Sequence, residues 1–267
     1  MNWEIETNVH IGGREEQEDS VATFSKGNRH LLVVADGMGG HEGGRFASKT
    51  VIAVAKLVWE QETVKTAKKF LQRICDLAHE SINDYGKKSN RFPHSTCILL
   101  YIHGKRAWWA HLGDSRLYHF RRRKLLQRTR DHSIVQLLVD LGRVKEEDMA
   151  KHPDQSHLFK CLGSEEPSKP DFGQASVRPG DSFVLCSDGF WEHVSASTMS
   201  KMLLRSDVDL RTRVECLVNE ALEAGGIEGD NIGVAVAHLK GKNYIWFYAA
   251  LGFLITVIFG GGVWCLM

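Results

Sequence analysis

Three aspartates lie where short apolar runs of the sequence begin or end. The runs are residues 31–35, 182–186 and 232–237, and the aspartates beside them are Asp36, Asp188 and Asp230. Short runs of branched apolar side chains are typical of buried strands. If the three strands pack together, their carboxylates meet at one edge of the core, and like charges that close need a cation between them.

The loop after the first of these strands is rich in glycine. Glycines stand at positions 37, 39, 40, 43 and 44, and they allow the backbone to approach a bound ion or phosphate closely. An Asp-Gly pair after a single strand more often marks only a turn. The repetition of an aspartate at three strand ends favours a binding site over three unrelated turns.

A charged segment at residues 14–19 precedes these strands. It places Arg14 beside four acids, of which Glu18 and Asp19 are the last two. From the charges alone, a solvated surface turn is the better interpretation. Beside the strand-end aspartates, however, the guanidinium fork of Arg14 can hold a phosphate, and the two acids can hydrogen-bond the waters of a hydrated divalent ion.

The hydrophobic pattern also indicates the elements that position these residues. Residues 64–85 and 209–224 have apolar side chains at helical spacing, and each stretch is followed by glycine. Residues 96–102, 106–112 and 116–120 are strand-like runs separated by short turns. That spacing predicts an antiparallel meander.

Length and composition favour one globular domain. Of the 267 residues, 43% are hydrophobic, and residues 1–240 are long enough to bury one full core. Lysine and arginine number 34 against 33 acids, so the overall charge does not favour nucleic-acid binding, and the basic run 121–124 is interpreted as a solvated hairpin turn. The six cysteines form no CxxC pair, which is typical of a reduced, cytosolic protein.

The C-terminal residues differ from the rest of the chain. Residues 244–267 carry no charge, and as a helix these 24 residues would span about 36 Å, enough to cross a hydrocarbon core of about 30 Å. They are predicted to form a transmembrane anchor after a short basic linker at 241–243; a buried core helix is the alternative. Lys240 and Lys242 flank the segment, so the positive-inside rule places the preceding domain in the cytoplasm, on the inner membrane.

The order of six short motifs along the chain is informative. They are Arg14-x-x-Gln17-Glu18-Asp19, Asp36-Gly37-Met38-Gly39-Gly40-His41, Gly113-Asp114-Ser115-Arg116, Thr129-Arg130-Asp131-His132-Ser133, Ser187-Asp188-Gly189 and Gly229-Asp230-Asn231. In this order they resemble the bacterial PP2C-type, metal-dependent protein phosphatases, over about residues 5–240. The first motif is similar to that of phosphatases which accompany type VI secretion systems.

The resemblance implies a fold. It is an α+β fold, a four-layer α-β-β-α sandwich of two antiparallel sheets flanked by helices. Residues 131–170 correspond to a mobile flap beside the site, and the flap is expected to affect substrate choice more than metal binding.

The resemblance also implies the catalytic residues. Asp36 bridges two metal ions, the Gly37 carbonyl contacts one of them, and Asp188 and Asp230 bind the other. An all-oxygen ligand set suits Mg²⁺ or Mn²⁺. A hydroxide that bridges the metals attacks phosphorus, and Arg14 stabilises the charge on the phosphoryl oxygens.

Three further positions are weighed with the resemblance. Asp114 and Glu192 match places where family members bind a third, weaker metal, although many members have Asp where this chain has Glu192. The alternatives are a turn acid and a solvent-facing glutamate. His41 is the candidate general acid. The animal enzymes carry their histidine directly after Asp-Gly, where this chain has Met38, so a surface histidine is the alternative for His41.

The expected function is metal-dependent hydrolysis of phosphoserine and phosphothreonine in proteins, at the cytoplasmic face of a membrane. The expected partners are phosphoproteins, a cognate serine/threonine kinase and the membrane, without nucleic acid. Two alternatives stay open: a catalytically inactive scaffold that binds phosphoproteins, and a phosphatase of a small phosphorylated molecule.

Overall fold

The computed structural model describes residues 1–39, 42–61 and 66–241. Its strands are β1 (Trp3–His10), β2 (Ser20–Lys26), β3 (Arg29–Ala35), β4 (Gly37–Met38), β5 (His94–Ser95), β6 (Cys97–His103), β7 (Arg106–Leu112), β8 (Arg116–Arg121), β9 (Lys124–Arg128), β10 (Asp171–Ser176), β11 (Asp181–Cys186) and β12 (Ile232–Leu239). Its α-helices are α1 (Glu42–Gln61), α2 (Ala67–Ser89), α3 (Ile134–Asp140), α4 (Asp188–Trp191), α5 (Ala196–Leu203) and α6 (Leu210–Gly225). Two 3₁₀ turns, Glu146–Lys151 and Gly226–Glu228, complete the described elements.

Ten of the strands form two five-stranded antiparallel sheets. The first sheet has the order β1-β12-β11-β8-β9, and the second has the order β10-β7-β6-β3-β2. The remaining strands, β4 and β5, pair with each other beside the end of β3, and Ser95 of β5 also forms an isolated β-bridge with Leu162. Because each sheet lies between the other sheet and a layer of helices, both faces of β3, β11 and β12 are covered, which explains their continuous apolar runs.

Three hydrophobic clusters arrange the two sheets and the helices in four layers. Between the sheets, Leu32, Ile98 and Trp109 of the second pack with Phe183 and Leu185 of the first. Helices α1 and α2 cover the outer face of the second sheet, and helices α4, α5 and α6 cover the outer face of the first. This arrangement confirms the predicted α+β sandwich of two antiparallel sheets flanked by helices.

The helices begin at side chains that cap them. Asp209 accepts a hydrogen bond from the backbone N–H of Thr212 at the start of α6, as its place before an apolar helical stripe indicates. Thr66 caps α2 in the same way, and Asn90 ends that helix in the left-handed conformation. The predicted stop at Gly86 is therefore wrong by one turn, because α2 continues to Ser89.

The predicted meander is only partly correct. Strands β6 and β7 pair as expected, but β8 pairs with β11 in the other sheet. The turn Gly113-Asp114-Ser115 therefore crosses from one sheet to the other. The basic run 121–124 does form the turn between β8 and β9, as predicted.

No helix among the described residues is both long and apolar enough to span a bilayer. The predicted anchor at 244–267 and most of the linker before it lie outside the described residues. The anchor therefore stays a prediction from the sequence.

Candidate active site

Asp36 is positioned at the end of β3 by its own backbone. Its N–H donates to the Thr96 hydroxyl at 2.9 Å, and its carbonyl accepts from the Thr96 N–H at 2.8 Å. Gly37 follows in very little space, since a Cβ atom there would lie 2.0 Å from the Gly44 carbonyl oxygen. Only glycine fits this close approach between the loop and the start of α1.

Asp188 and Asp230 lie side by side because β11 and β12 are neighbours. Each carboxylate accepts a hydrogen bond of 2.7 Å from the next backbone N–H, at Gly189 and Asn231 respectively. A Cβ atom at Gly189 would lie 3.1 Å from the Asp230 Cβ atom, so the two loops are in contact. The structure thus brings the two acids together although they are 42 positions apart in the sequence.

The three aspartates line one cleft of about 550 Å³. Its acidic lining residues are Glu15, Glu16, Glu18, Asp36, Asp114, Asp188 and Asp230. Arg14 is the basic residue of the lining. The convergence predicted from the strand ends is therefore present in the structure.

The acids of the cleft raise one another's pKa values. Burial, followed by repulsion from Asp188, raises the pKa of Asp36 well above its usual range. Burial and the charge of Asp230 raise the pKa of Asp188 to about 6. Burial also raises the pKa of Asp114, and the charge of Asp188 is the next largest cause. Such a concentration of partly buried carboxylates, with oxygen as the donor atom, fits hard divalent cations such as Mg²⁺ or Mn²⁺.

Arg14 lies at the rim of this cleft. Its Nη2 atom donates to the Asp230 carboxylate at 2.7 Å, and the side chains are 56% and 39% exposed. The charge of Asp230 is the main reason that the pKa of Arg14 is raised above its ordinary value. The guanidinium is therefore charged, accessible from solvent and held over the acids.

The chain matches the family description "Protein phosphatase 2C" over residues 8–223. That match covers most of the described residues. It includes the loops that carry Asp36 and Asp188, and it ends before Asp230. The chain belongs to the protein phosphatase 2C family. The predicted membership, and with it the prediction of an enzyme of the protein serine/threonine phosphatase class, is confirmed.

Individual members of the PP2C family show how close the relationship is. The chain is 30% identical over 232 residues to the protein phosphatase PhpP of Streptococcus pneumoniae, which covers 85% of this chain and 93% of the relative. The catalytic domain of the phosphatase PstP, solved with two manganese ions, superimposes with a TM-score of 0.78 at 29% identity, over 90% of this chain and 99% of that domain. PppA, described as a regulatory component of the type VI secretion system in Pseudomonas aeruginosa, gives a TM-score of 0.75 at 28% identity, over 89% and 98% of the two chains.

Glu18 and Asp19 occupy different positions relative to this PP2C cleft. Glu18 lines it, and its carboxylate lies against Gly44, where a Cβ atom would come 2.4 Å from Oε2. Asp19 is buried behind the cleft, where its carboxylate accepts a hydrogen bond of 2.6 Å from the Ser187 hydroxyl. Burial raises the pKa of Asp19 well above its usual range.

The two residues predicted for a third metal are both near the cleft. Asp114 lines it, is 4% exposed, and its backbone carbonyl accepts from the Trp191 indole at 3.0 Å. Glu192 has a buried Oε1 atom without a hydrogen-bond partner among the described residues. Burial and the charge of Asp188 raise the pKa of Glu192 to about 8. The Glu192 side chain is therefore partly buried near Asp188, and its role in a third metal site stays a prediction.

His41, the candidate general acid, lies outside the described residues. The flap, by contrast, is described from end to end. Ser156 and Leu158 line the cleft, and the Gln155 side-chain amide lies 3.5 Å from the Asp188 carboxylate. The flap of this PP2C member therefore forms part of the cleft wall.

Two residues that hold the site together, Asn231 and Ser187, were not predicted from the sequence to have that role. Asn231 accepts from the Glu18 N–H at 2.7 Å and donates to the carbonyls of Ile11 and Glu16, so it holds the loop that carries Arg14. The Ser187 hydroxyl accepts from the Gly233 N–H at 2.8 Å while it donates to Asp19. Both residues stand directly beside a predicted ligand, and that adjacency was the available signal.

A buried ion pair supports the Asp114 turn from below. Arg116 donates to both carboxylate oxygens of Asp131, the shortest contact being 2.6 Å, and its guanidinium lies 3.3 Å from the centre of the Trp191 ring. Burial lowers the pKa of Arg116, but the charges around it, with Tyr118 and Asp131 first, outweigh burial and raise the value overall. Removal of either partner would leave a buried charge unpaired.

A second group of possible ligands lies behind this turn. Single ligand atoms of His111, His132 and Asp171 are within 4.8 Å of one another. However, the His132 Nδ1 atom accepts a hydrogen bond from the Gly113 N–H, so in the neutral ring the proton is on Nε2, which faces Asp171 at 3.3 Å. That tautomer has no lone pair for a metal at Nε2, and the group is better described as a structural contact between His132 and Asp171 beside His111.

Proposed function

We propose that this chain hydrolyses phosphoserine and phosphothreonine in proteins with Mg²⁺ or Mn²⁺ as the cofactor. The observation that carries the proposal is the convergence of Asp36, Asp188 and Asp230 on one cleft with Arg14 at its rim. Asp36, the Gly37 carbonyl, Asp188 and Asp230 would hold two ions, and Asp114 with Glu192 would hold a third. The manganese ions of the related PstP domain support this proposal.

When bound, the ions would supply an activated water and neutralise part of the phosphate charge. The residues of the chain then have distinct tasks. Arg14 binds two phosphoryl oxygens with its guanidinium fork, for which it must release Asp230. Glu18, at the cleft wall, orients water molecules by accepting their hydrogen bonds, and Asp19 braces the Ser187 loop from behind.

Arg14 acts mainly on the transition state. In the transition state, negative charge is spread over the three equatorial phosphoryl oxygens, with the entering and leaving oxygens in line. A guanidinium positioned for that geometry therefore stabilises the transition state more than the substrate. His41 is proposed as the residue that protonates the leaving oxygen.

The direct test is phosphate release from a phosphothreonine peptide, with Mn²⁺ and with EDTA. Asp188→Asn should lose orders of magnitude in rate, because a carboxylate ligand is removed. Asp84→Asn, an exposed acid on α2, is the matched control and should keep the wild-type rate. Metal-dependent release from phosphorylated metabolites but from no phosphopeptide would favour the small-molecule alternative, and folded protein without any release would favour the scaffold.

We also propose that residues 244–267 anchor the domain in the inner membrane with the cleft in the cytoplasm. The length of this uncharged segment and its flanking lysines support the proposal. Extraction tests it: the full chain should stay with membranes in high salt and alkaline carbonate, and enter solution only in detergent. Release by salt alone would contradict a spanning segment.

We propose that a cognate serine/threonine kinase phosphorylates the proteins that this phosphatase dephosphorylates. The described role of the neighbour PppA in type VI secretion supports secretion as one candidate process. Comparison of phosphothreonine-containing proteins in cells that lack the chain, and in cells complemented with wild type or Asp188→Asn, tests the proposal. Proteins that accumulate phosphate unless the active chain is present are the expected substrates.

A further inference from the structure

The end of the sandwich opposite the cleft carries a concentration of positive charge. The strand pairing places the turns 26–29, 103–106, 121–124 and 176–181, with the chain segment 239–241, at this end, which we call the basal face. These segments contain ten lysines and arginines. Their one acid, Asp181, is buried and bound by Arg121.

Hydrogen bonds between the turns make the basal face continuous. The Gly104 N–H donates to the Asn28 carbonyl, and the Val177 N–H donates to the Lys105 carbonyl. The N–H of Arg122 donates to the Gly180 carbonyl at 3.1 Å, and the Gly180 N–H donates to the Leu239 carbonyl at 2.8 Å. Five segments that are distant in sequence therefore form one surface and not separate charged loops.

Most of the positive charge on the basal face is exposed. The exposed basic residues for which the described part of the chain has no ion pair are Lys105, Arg106, Arg122, Arg123, Lys124 and Arg178. Arg122 has a φ of +54°, a left-handed conformation that glycine or asparagine adopts more readily. The turn thus carries an arginine at a position where backbone geometry favours an uncharged residue.

The two ends of the domain have opposite charge. The cleft end presents seven carboxylates and one arginine, whereas the basal face presents the basic turns. Although the formal net charge is only +1, negative and positive charges are therefore concentrated at opposite ends of the strands. Such polarity orients a molecule next to a charged partner.

The chain also leaves the domain at the basal face. Strand β12 runs from Ile232 near the cleft to Leu239 at the basal face, a distance of about 25 Å for its eight residues. The described chain ends two residues later at Gly241, and the uncharged segment 244–267 follows after Lys242 and Asn243. A domain tethered this closely presents its basal face, not its cleft, to whatever holds that segment.

We propose that the basal face is a docking surface for anionic membrane lipids, and that it holds the cleft on the far side of the domain, directed away from the bilayer. The inference extends the proposed anchoring, but the basic turns are its own evidence. The charge of the turns complements anionic headgroups, and the exit point of the chain explains why a membrane and not a soluble polyanion is the partner. Each lysine or arginine close to an anionic surface adds about fivefold to the affinity, and salt screens the attraction.

Hydrogen exchange of the full chain in lipid bilayers tests the proposal. The chain is incorporated into bilayers of phosphatidylcholine alone or of phosphatidylcholine with phosphatidylglycerol. Amides of the turns 104–106 and 121–124 should exchange more slowly in the anionic bilayer, and salt at about 1 M, where the Debye length is about 3 Å, should remove the difference. Amides of the flap should exchange equally in both.

A pair of charge-reversal variants makes the test specific. Lys105→Glu with Arg123→Glu removes charge from two turns of the basal face, and Lys87→Glu with Lys88→Glu removes the same charge from the end of α2. The first variant should reduce the ratio of docked to undocked domains by about 25-fold or more, since two basic residues are lost. The second should leave it unchanged.

Three results would overturn the proposal. They are equal exchange of the basal turns in neutral and anionic bilayers, equal loss of protection in both variants, and protection by added RNA without protection by anionic lipid. Phosphate release from a soluble phosphothreonine peptide is measured on the same preparations and should be the same for all of them. Failure of docking with normal phosphate release would leave the proposed phosphatase intact, whereas inactive wild-type protein would count against that function alone.

Discussion

The guanidinium of Arg14 donates a hydrogen bond of 2.7 Å to the carboxylate of Asp230, a residue 216 positions away in the sequence. Both side chains are partly exposed, so water screens their attraction and its net contribution to stability is small. The pair matters instead because it places a charged fork at the rim of the acidic cleft. In the proposed mechanism, Arg14 releases Asp230 when it binds the phosphate.

Arg14→Ala should reduce kcat/KM for a phosphothreonine peptide by about 10²–10³-fold, the usual effect of removing one donor to a developing oxyanion. Arg14→Lys should recover only part of that loss, because an ammonium group cannot bind two oxygens in the planar geometry of the fork. Initial rates of phosphate release measure both. Arg211→Ala, at an exposed arginine 3.9 Å from Glu6, is the control, and a normal kcat/KM for Arg14→Ala would exclude the proposed role.

Mn²⁺ should raise the thermal unfolding temperature of the wild-type chain. A ligand that binds only the folded state at 100 times its Kd adds about 2.7 kcal/mol to the free energy of unfolding. EDTA should reverse the shift, and Asp188→Asn should reduce it because one carboxylate ligand is lost. An equal Mn²⁺ shift in the variant would show that Asp188 is not a ligand.

Alanine substitutions at Gly37 and Gly43 should have opposite effects on the free energy of unfolding. A Cβ atom at Gly37 would lie 2.0 Å from the Gly44 carbonyl oxygen, so Gly37→Ala should displace the loop, lower the free energy of unfolding by about 2–3 kcal/mol and abolish activity. At Gly43, on α1, the nearest atom to such a Cβ is 3.8 Å away. Gly43→Ala should stabilise the helix by about 0.5–1 kcal/mol. Urea denaturation distinguishes them, and equal stability of the two variants would contradict the packing at Gly37.

Flap substitutions should change the choice of peptide but not the binding of metal. Gln155 and Leu158 face the cleft from the flap, so Gln155→Ala with Leu158→Ala should alter the ratio of kcat/KM between phosphopeptides of different sequence. The Mn²⁺-induced thermal shift should stay at the wild-type value. His157→Ala, at a residue that is 66% exposed, is the control, and loss of the Mn²⁺ shift in the double variant would count against this separation.

The buried acid Asp181 should make stability depend on pH in acid. Burial raises its pKa, but hydrogen bonds from Arg121 and the Arg178 backbone, with the close contact of His119, outweigh burial and lower the pKa of Asp181 to about 2 from 3.8. A depressed pKa in the folded state gives a stabilisation that is complete above the unfolded value and disappears as the pH falls through the folded value. Relative to Asp181→Asn, the wild type should lose about 2 kcal/mol of stability between about pH 5 and pH 2, as measured by urea denaturation. A difference that does not change with pH would show that the Asp181 pKa is not depressed.

The positions of the three cleft aspartates could be predicted because each is encoded locally. A run of branched apolar residues defines a buried strand, and a polar residue at its end must lie at the edge of the core, so Asp36, Asp188 and Asp230 were found without knowledge of any contact. The caps of α6 and α3 are local in the same way, since a side chain at the first position satisfies an N–H two or three residues later.

One prediction was wrong, and some features were missed, because they depend on residues that are distant in the sequence. The sequence suggests that β8 continues the meander, but pairing with β11 moves β8 to the other sheet. Nothing near Asn231 in the sequence indicates that its side chain holds residues 11–18, which are more than 200 positions away. The raised pKa of Glu192 likewise depends in part on the charge of Asp230, which belongs to a distant loop.

The sequence by itself determined the family, the strand ends that carry the acids, and the apolar segment at 244–267, because periodicity, turn chemistry and uncharged length are properties of adjacent residues. Only the tertiary structure decided which carboxylates share a cleft, how Arg14 reaches Asp230, and that five basic segments join into the basal face. Antiparallel pairing brings alternate turns to the same end of a sheet, so charges that are scattered along the chain, and nearly cancel in its total, are separated to opposite ends of the fold.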